Sequence, residues 1–239
     1  SEDDIAIWKL CKKAIYVGNN KKIIKELKDN DVEIIKIIPV TKNKFSDLLR
    51  ILRIYHWPKN LIIFIPIIAS HQIFFPQNFY DTCLAFLSFS MAASLIYIIN
   101  DISDLKSDRV HEVKKQRPIA NGNVSTKAIL FLLIIISFSL LYSFYFINKL
   151  IIYWIIFYIF LNILYTNYFK KLILFDIIIL TTFYIVRLCI GFISISSSFS
   201  VWLLSFSIFT FLSLGTLKRY TEITMFPLIV NCQGRPYQA

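Results

Sequence analysis

The chain has 239 residues, 56% of them hydrophobic, and a mean hydropathy of +0.61, which excludes a single water-soluble domain burying all of its apolar surface. Its formal charge is +11, from 26 Lys and Arg against 15 Asp and Glu. Most of the basic residues stand beside apolar runs, where they orient a membrane protein and attract anionic lipid, so nucleic acid is not the expected partner.

Residues 1 to 42 are soluble in character: Ile5, Ile7, Trp8, Leu10 and Ala14 alternate with Lys and Asp, and Lys21 to Lys28 read as an amphipathic helix. The acidic start, without an initiating Met or a signal peptide, predicts a fragment or a processed chain. From Lys44 to Tyr55, apolar residues mixed with Arg50 and Arg53 predict a helix along the membrane surface. Six apolar runs follow, at about Leu61–Phe75, Thr82–Ile99, Ala128–Ile147, Leu150–Tyr165, Leu172–Ser194 and Val201–Leu217. Basic residues crowd the connections after the second, fourth and sixth runs, which predicts that these loops and the N-terminus are cytoplasmic. Cys11, Cys83, Cys189 and Cys232 form no C-x-x-C pair, and His56, His71 and His111 lack metal-ligand spacing.

The most informative stretch runs from Asn100 through Asp101, Asp104 and Asp108 to Arg109, with Lys114, Lys115 and Arg117 downstream. At ~100° per residue, Asn100, Asp104 and Asp108 fall within about 80° of one another on a helix, with Asp101 just beyond. Crowded carboxylates repel unless a cation intervenes, and carboxylate with amide oxygens suits Mg²⁺, which is readily shared with substrate phosphates. The basic cluster downstream is placed to hold the remaining phosphate oxygens. Against this stands an ordinary solvated loop with surface ion pairs. The acidic stripe, however, begins where an apolar span ends, and ionisable groups at that boundary are usually functional.

The pattern N-D-x-x-D-x-x-x-D-R followed by R-P-I-A-x-G resembles the first Asp-rich motif of the UbiA superfamily of intramembrane prenyltransferases. Arg53 to Asn60 resembles the family's entry to its first span, and Tyr165 to Lys170 resembles its Y-S-x-x-L-K segment, with Asp176, Arg187 and Gly191 beyond. Lys218-Arg219-Tyr-Thr-Glu222 resembles the K-R-x-x-E of the decaprenyl-phosphate phosphoribosyltransferase branch. The resemblance covers about Asp47 to Glu222 and implies an all-α polytopic transmembrane bundle, with about six of the family's usual nine spans present. It implies a Mg²⁺-dependent transferase that moves a prenyl or phosphoribosyl group with loss of pyrophosphate. The favoured subtype takes phosphoribosyl diphosphate and a polyprenyl phosphate; the alternatives are an aromatic or lipid-acceptor prenyltransferase and a truncated, non-catalytic membrane fragment.

On that resemblance Asn100, Asp101, Asp104 and Asp108 bind metal, and Asp104, Asp108, Tyr165 and Lys170 carry catalysis. Lys59, Asn60, Arg117, Lys170, Asp176, Arg187, Lys218 and Arg219 bind substrate. Topology signalling alone is the alternative for Lys170, Lys218 and Arg219, a structural ion pair for Asp176 and Arg187, and interface anchoring for Trp57 and Lys59. The expected partners are an isoprenoid lipid phosphate or diphosphate and membrane lipids; the oligomeric state stays open. The expected location is a bacterial inner membrane, with multiple passes and the active-site loops cytoplasmic. Ser1 to Trp8 resembles the continuation of the G-D-x-x-x-D motif of haloacid-dehalogenase-like phosphatases, with Asp4 as its final Asp. Residues 1–42 are therefore expected to be a truncated soluble α/β remnant of such a domain, 43–223 an incomplete UbiA-like domain and 224–239 an atypical tail.

Overall fold

The structure, a computed structural model, describes residues 13–17, 21–30, 32–38, 44–110, 114–122, 124–169 and 172–225. The chain divides into two compact units between Asp47 and Leu48. Asp4, Trp8, His111, Lys170 and the tail beyond Met225 lie outside the described residues.

In the first unit, strand β1 (Lys13–Val17), helix α1 (Lys21–Asp29) and strand β2 (Glu33–Ile38) form a β-α-β turn. The strands pair in parallel, with Tyr16 opposite Ile37, and parallel strands need a crossover, which α1 supplies. Ile23 and Leu27 fall one helical turn apart and close on Tyr16 and Val32, so the amphipathic pattern buries one face of the helix. This is the small α/β element that the sequence predicts.

Helix α2 (Lys44–Ile51) precedes a 3-10 helix over Ile54–Phe64 and the short helix α3 (Ile65–Ala69). The remaining helices are α4 (Pro76–Ser103), α5 (Leu105–Val110), a 3-10 turn at Lys114–Gln116, α6 (Thr126–Ser143), α7 (Lys149–Asn167), α8 (Ile173–Ser194) and α9 (Val201–Met225). Among the described residues, five helices are long and apolar enough to cross a bilayer: α4, α6, α7, α8 and α9. The expected first span, Leu61–Phe75, is instead the tail of a shorter apolar segment, Ile54–Ala69. Pro58 lies inside the 3-10 helix and Pro66 opens α3; each removes a backbone donor, which breaks a continuous α-helical ladder here.

Two helices form the centre. Over their apolar stretches α4 and α8 are 56% and 61% buried, against 22%, 17% and 6% for α6, α7 and α9. Helix α4 approaches its neighbours closely because Ala85, Ser88, Ala92, Ala93 and Ser94 are small, the usual solution where lipid supplies no hydrophobic drive between helices. Its hydroxyls are satisfied across the contacts: Ser88 donates to Ser143 Oγ at 2.8 Å, and Thr82 and Ser194 share a 3.0 Å bond. The Trp57 indole and the Asn60 amide donate to Ser94 and Ser90 at 3.2 and 2.9 Å, tying the 3-10 helix to α4. On the other side, a Cβ added to Gly191 of α8 would lie 2.3 Å from the Ile63 carbonyl oxygen, so only glycine permits this approach.

Candidate active site

Three helices each present one stripe at the spacing i, i+3 or i+4, and i+7, and the stripes converge. Tyr97, Asn100, Asp101 and Asp104 come from the end of α4; Tyr158, Asn162, Tyr165 and Thr166 from α7; Leu180, Phe183, Tyr184 and Arg187 from α8. Together with Arg53, Lys59 and Arg117 they line one cavity of about 410 Å³. Its wall carries carboxylates from α4, cations from Arg53, Lys59, Arg117 and Arg187, and aromatic rings from α4, α7 and α8.

The acidic wall is held by guanidinium groups. Arg53 Nη2 and Arg117 Nη1 both donate to Asp101 Oδ1, at 2.6 and 2.9 Å, and Arg117 Nη1 also reaches Asp108 Oδ2 at 2.7 Å. Arg53 adopts the left-handed backbone region, φ 50°, between α2 and the 3-10 helix. That conformation is unusual for a side chain with a Cβ and persists only where its surroundings hold it, here the 2.6 Å bond to Asp101 and the stack of its guanidinium on Tyr97, 4.7 Å from the ring centre. Helix α4 ends at Ser103 and α5 begins at Leu105, with i to i−4 backbone bonds running on at Asp104 and Asp108. Asn100, Asp101 and Asp104 line the cavity, whereas Asp108, seven residues after Asp101, is buried against the same Arg117. Asp104 is exposed, and its carboxylate makes no ion pair among the described residues.

Deeper in the bundle Arg187 is 6% exposed. Its Nε donates to Asn60 Oδ1 at 2.8 Å, another nitrogen donates to the Phe183 carbonyl, and its guanidinium lies 4.9 to 5.6 Å from the Phe89, Tyr184 and Tyr158 ring centres. Aromatic faces and amide oxygens replace the water that the charge has lost. Lys59 stands nearby, and its ammonium is pushed below the usual lysine range by burial first, then by Lys218 and Arg187. Cations this close to one another favour an anion between them. A third network lies behind the wall, where Tyr165 Oη donates to Asp176 Oδ1 at 2.7 Å and Arg219 Nη2 donates to the same oxygen at 2.9 Å.

The family model described as the UbiA prenyltransferase family matches residues 61–224, which contain the acidic wall and all three arginine networks apart from Arg53 and Asn60. The chain belongs to the UbiA prenyltransferase family. With five apolar helices of crossing length, it is an integral membrane protein. It is 31% identical over 227 residues to a protein named "Uncharacterized protein y4nM" of Sinorhizobium fredii, covering 93% of this chain and 43% of that protein. It is 30% identical over 188 residues to the decaprenyl-phosphate phosphoribosyltransferase of Corynebacterium glutamicum, covering 77% of this chain and 57% of that protein. The enzyme of the same name from Mycolicibacterium smegmatis is 30% identical over 189 residues, covering 77% and 59%. The chain spans about half the length of these relatives.

Of the residues that the UbiA resemblance nominates, the cavity brings together Lys59, Asn100, Asp101, Asp104, Arg117, Tyr165 and Arg187. Asn60, Asp108, Asp176 and Arg219 stand one layer behind, each bonded to a residue of the wall or to one another. Lys218 is exposed on α9, and Lys170 lies outside the described residues. Asp176 and Arg187 do not pair with each other: Asp176 takes Arg219 and Arg187 takes Asn60. Sequence reasoning missed Arg53, Tyr97, Tyr158, Asn162 and Tyr184 as wall residues. For the four residues on α4, α7 and α8 the signal is polar atoms recurring at helical spacing inside apolar spans, a pattern without purpose on a helix that faces only lipid; Arg53, outside those spans, carries no such signal.

Proposed function

We propose that the full-length protein is a magnesium-dependent intramembrane transferase that moves a phosphoribosyl group onto a polyprenyl phosphate with loss of pyrophosphate. The observation that carries this reading is the single cavity in which Asn100, Asp101 and Asp104 face Arg53, Lys59, Arg117 and Arg187. Mg²⁺ is usually held by one or two carboxylates and completed by substrate phosphates, and the cavity offers two carboxylates, Asp101 and Asp104, with the Asn100 amide. Asn100, Asp101 and Asp104 would hold the ion, with Asp104 the carboxylate not committed to an arginine. When bound, the ion neutralises charge that builds on the departing pyrophosphate.

The chain's own residues supply the rest. Arg117 and Lys59 bind phosphate oxygens, and Arg187, fixed by Asn60, presents a preplaced charge that needs no reorganisation as the C–O bond to pyrophosphate breaks. Tyr165, oriented through its bond to Asp176, positions donor or acceptor. Tyr158, Phe183 and Tyr184 exclude water from the anomeric carbon while the polyprenyl phosphate oxygen attacks it. Lys170 and Lys218 are further substrate-phosphate ligands in this reading, at the cytoplasmic side of a bacterial inner membrane, and Arg219 acts from behind the wall through Asp176, which also holds Tyr165. The 30% identity to decaprenyl-phosphate phosphoribosyltransferases supports this subtype over prenyl transfer. The β-α-β unit supports reading residues 1–42 as part of a phosphatase-like α/β domain.

The test is an assay of full-length protein in detergent with radiolabelled phosphoribosyl diphosphate, polyprenyl phosphate and Mg²⁺, with an isoprenyl diphosphate as competing donor. Transfer of ribose phosphate to the lipid, abolished by chelation, is expected. Prenyl transfer in its place would overturn the subtype, and no transfer from either donor would overturn the enzyme reading.

A further inference from the structure

A second cavity, of about 530 Å³, lies on the far side of the Arg53–Asp101–Arg117 bridge, and these three residues line both cavities. The second cavity adds Arg50, Lys114 and His56 to its wall. It therefore presents four cationic side chains, Arg50, Arg53, Lys114 and Arg117, and Asp101 is the carboxylate among them. One Asp101 oxygen accepts both guanidinium groups, Asp101 lines both cavities, and the buried Asp108 takes a further bond from Arg117, so two carboxylates stand against the four cations of this wall. We infer that this second cavity is a separate binding subsite for a phosphate oxyanion, divided from the first by the Arg53–Asp101–Arg117 bridge.

The chemistry of the wall selects the ligand. A guanidinium fork matches two oxygens of a phosphate, and Lys114 adds a point charge to the same wall. His56 adds no charge near neutrality, because burial, then Lys59 and Arg53, push its pKa down to about 4, so it contributes a neutral ring beside the cations. Among the described residues Asp101 is the one carboxylate lining the second cavity, in place of the Asn100, Asp101 and Asp104 set of the first, so phosphate binding there is expected to be independent of a divalent cation. The ligand is a free phosphate or pyrophosphate, or the phosphate headgroup of an anionic lipid. The inference rests on the charge and position of this wall and not on the transferase reading.

The test uses the whole protein in nanodiscs of neutral phosphatidylcholine, with labelled pyrophosphate and EDTA. Chelator-resistant binding is expected, weakened by roughly tenfold or more in the Arg50→Gln/Lys114→Gln double variant, since each substitution removes a charge-assisted bond. Neither residue lines the first cavity, and the charge-preserving Arg50→Lys/Lys114→Arg variant should bind as the native protein does. Should the double variant misfold on size exclusion, Arg50→Gln alone gives the same test at an exposed position. Adding phosphatidylglycerol distinguishes the sources: competition assigns the subsite to lipid headgroups, and its absence assigns it to soluble phosphate. Absence of chelator-resistant binding in the native protein, or equal binding in native and double-variant proteins, overturns the inference. Loss of turnover with this binding intact would sink the transferase reading alone.

Discussion

Arg219 closes on Asp176 from the neighbouring helix: its Nε stands 2.5 Å from Oδ2, its Nη2 donates to Oδ1 at 2.9 Å, and the Asp176 carboxylate is wholly enclosed. The pair joins α9 to α8, and α9 has little other buried surface, with 6% of its apolar stretch enclosed. Removing one partner leaves an uncompensated charge where water does not reach. Arg219→Met should therefore destabilise the protein by about 3–5 kcal/mol, and Asp176→Asn/Arg219→Met should recover much of the loss. Thermal unfolding in detergent measures both; equal melting of native and Arg219→Met proteins would count against the pair as a clasp.

The two carboxylates Asp104 and Asp108 should separate by role. Asp104→Asn removes an exposed charge and should shift stability by less than about 0.5 kcal/mol while reducing Mg²⁺-dependent transfer by ~100-fold. Asp108→Asn weakens the buried bond to Arg117 and should cost about 1–3 kcal/mol of stability. Melting temperature and turnover measured on the same preparations decide this, and an active, magnesium-dependent Asp104→Asn protein would remove that residue from the metal site.

Glycine is required at one position of α8 and not at its counterpart on α9. Gly191→Ala drives a Cβ to 2.3 Å from the Ile63 carbonyl and 3.0 Å from the Pro66 ring, and backbone cannot rotate away, so about 1–3 kcal/mol should be lost. Gly215→Ala meets the Ile177 Cγ2 methyl at 3.3 Å, which has to give by only a few tenths of an ångström, and should cost clearly less than Gly191→Ala. Comparing the two melting curves checks the packing of the 3-10 segment on α8.

His56 precedes the first crossing helix, and its folded pKa is lowered to about 4 from an ordinary 6.5. The sign follows from proton counting: between these values the unfolded chain binds more protons than the folded one, so stability rises with pH. The contribution is complete above about pH 6.5 and is lost as pH falls toward 4. A His56→Gln protein should lack this part of the acid sensitivity, and a proton resonance of His56 titrating near pH 6.5 would contradict the burial.

Much of this protein is legible without coordinates because the bilayer is a demanding solvent. Backbone donors have no water to turn to, so runs such as Ala128–Ile147 and Leu172–Ser194 have helix as their stable choice, and α6 and α8 follow them closely. The β-α-β unit is legible for a similar reason, since Ile23 and Leu27 fall on one face. Boundaries are less legible where proline intervenes: Leu61–Phe75 reads as a span by hydropathy, yet Pro66 interrupts its ladder, Pro58 stands just ahead of it, and the helix ends at Ala69.

Composition, apolar periodicity and the N-D-x-x-D-x-x-x-D-R motif were sufficient to specify a polytopic helical membrane protein with an acidic stripe at a membrane boundary, because each depends on neighbours within a few turns of one chain segment. Which carboxylates face a ligand was decided only in three dimensions. Asp104 and Asp108 look alike on a helical wheel, but Arg117, which follows the Lys114–Gln116 turn, takes Asp108 into a buried pair and leaves Asp104 at the cavity. Likewise Asp176 finds Arg219 and Arg187 finds Asn60, choices set by which helices pack side by side and invisible to spacing along the chain. Pairing energies between buried charges fall steeply with distance, so the partner is whichever group the packing brings within about 3 Å.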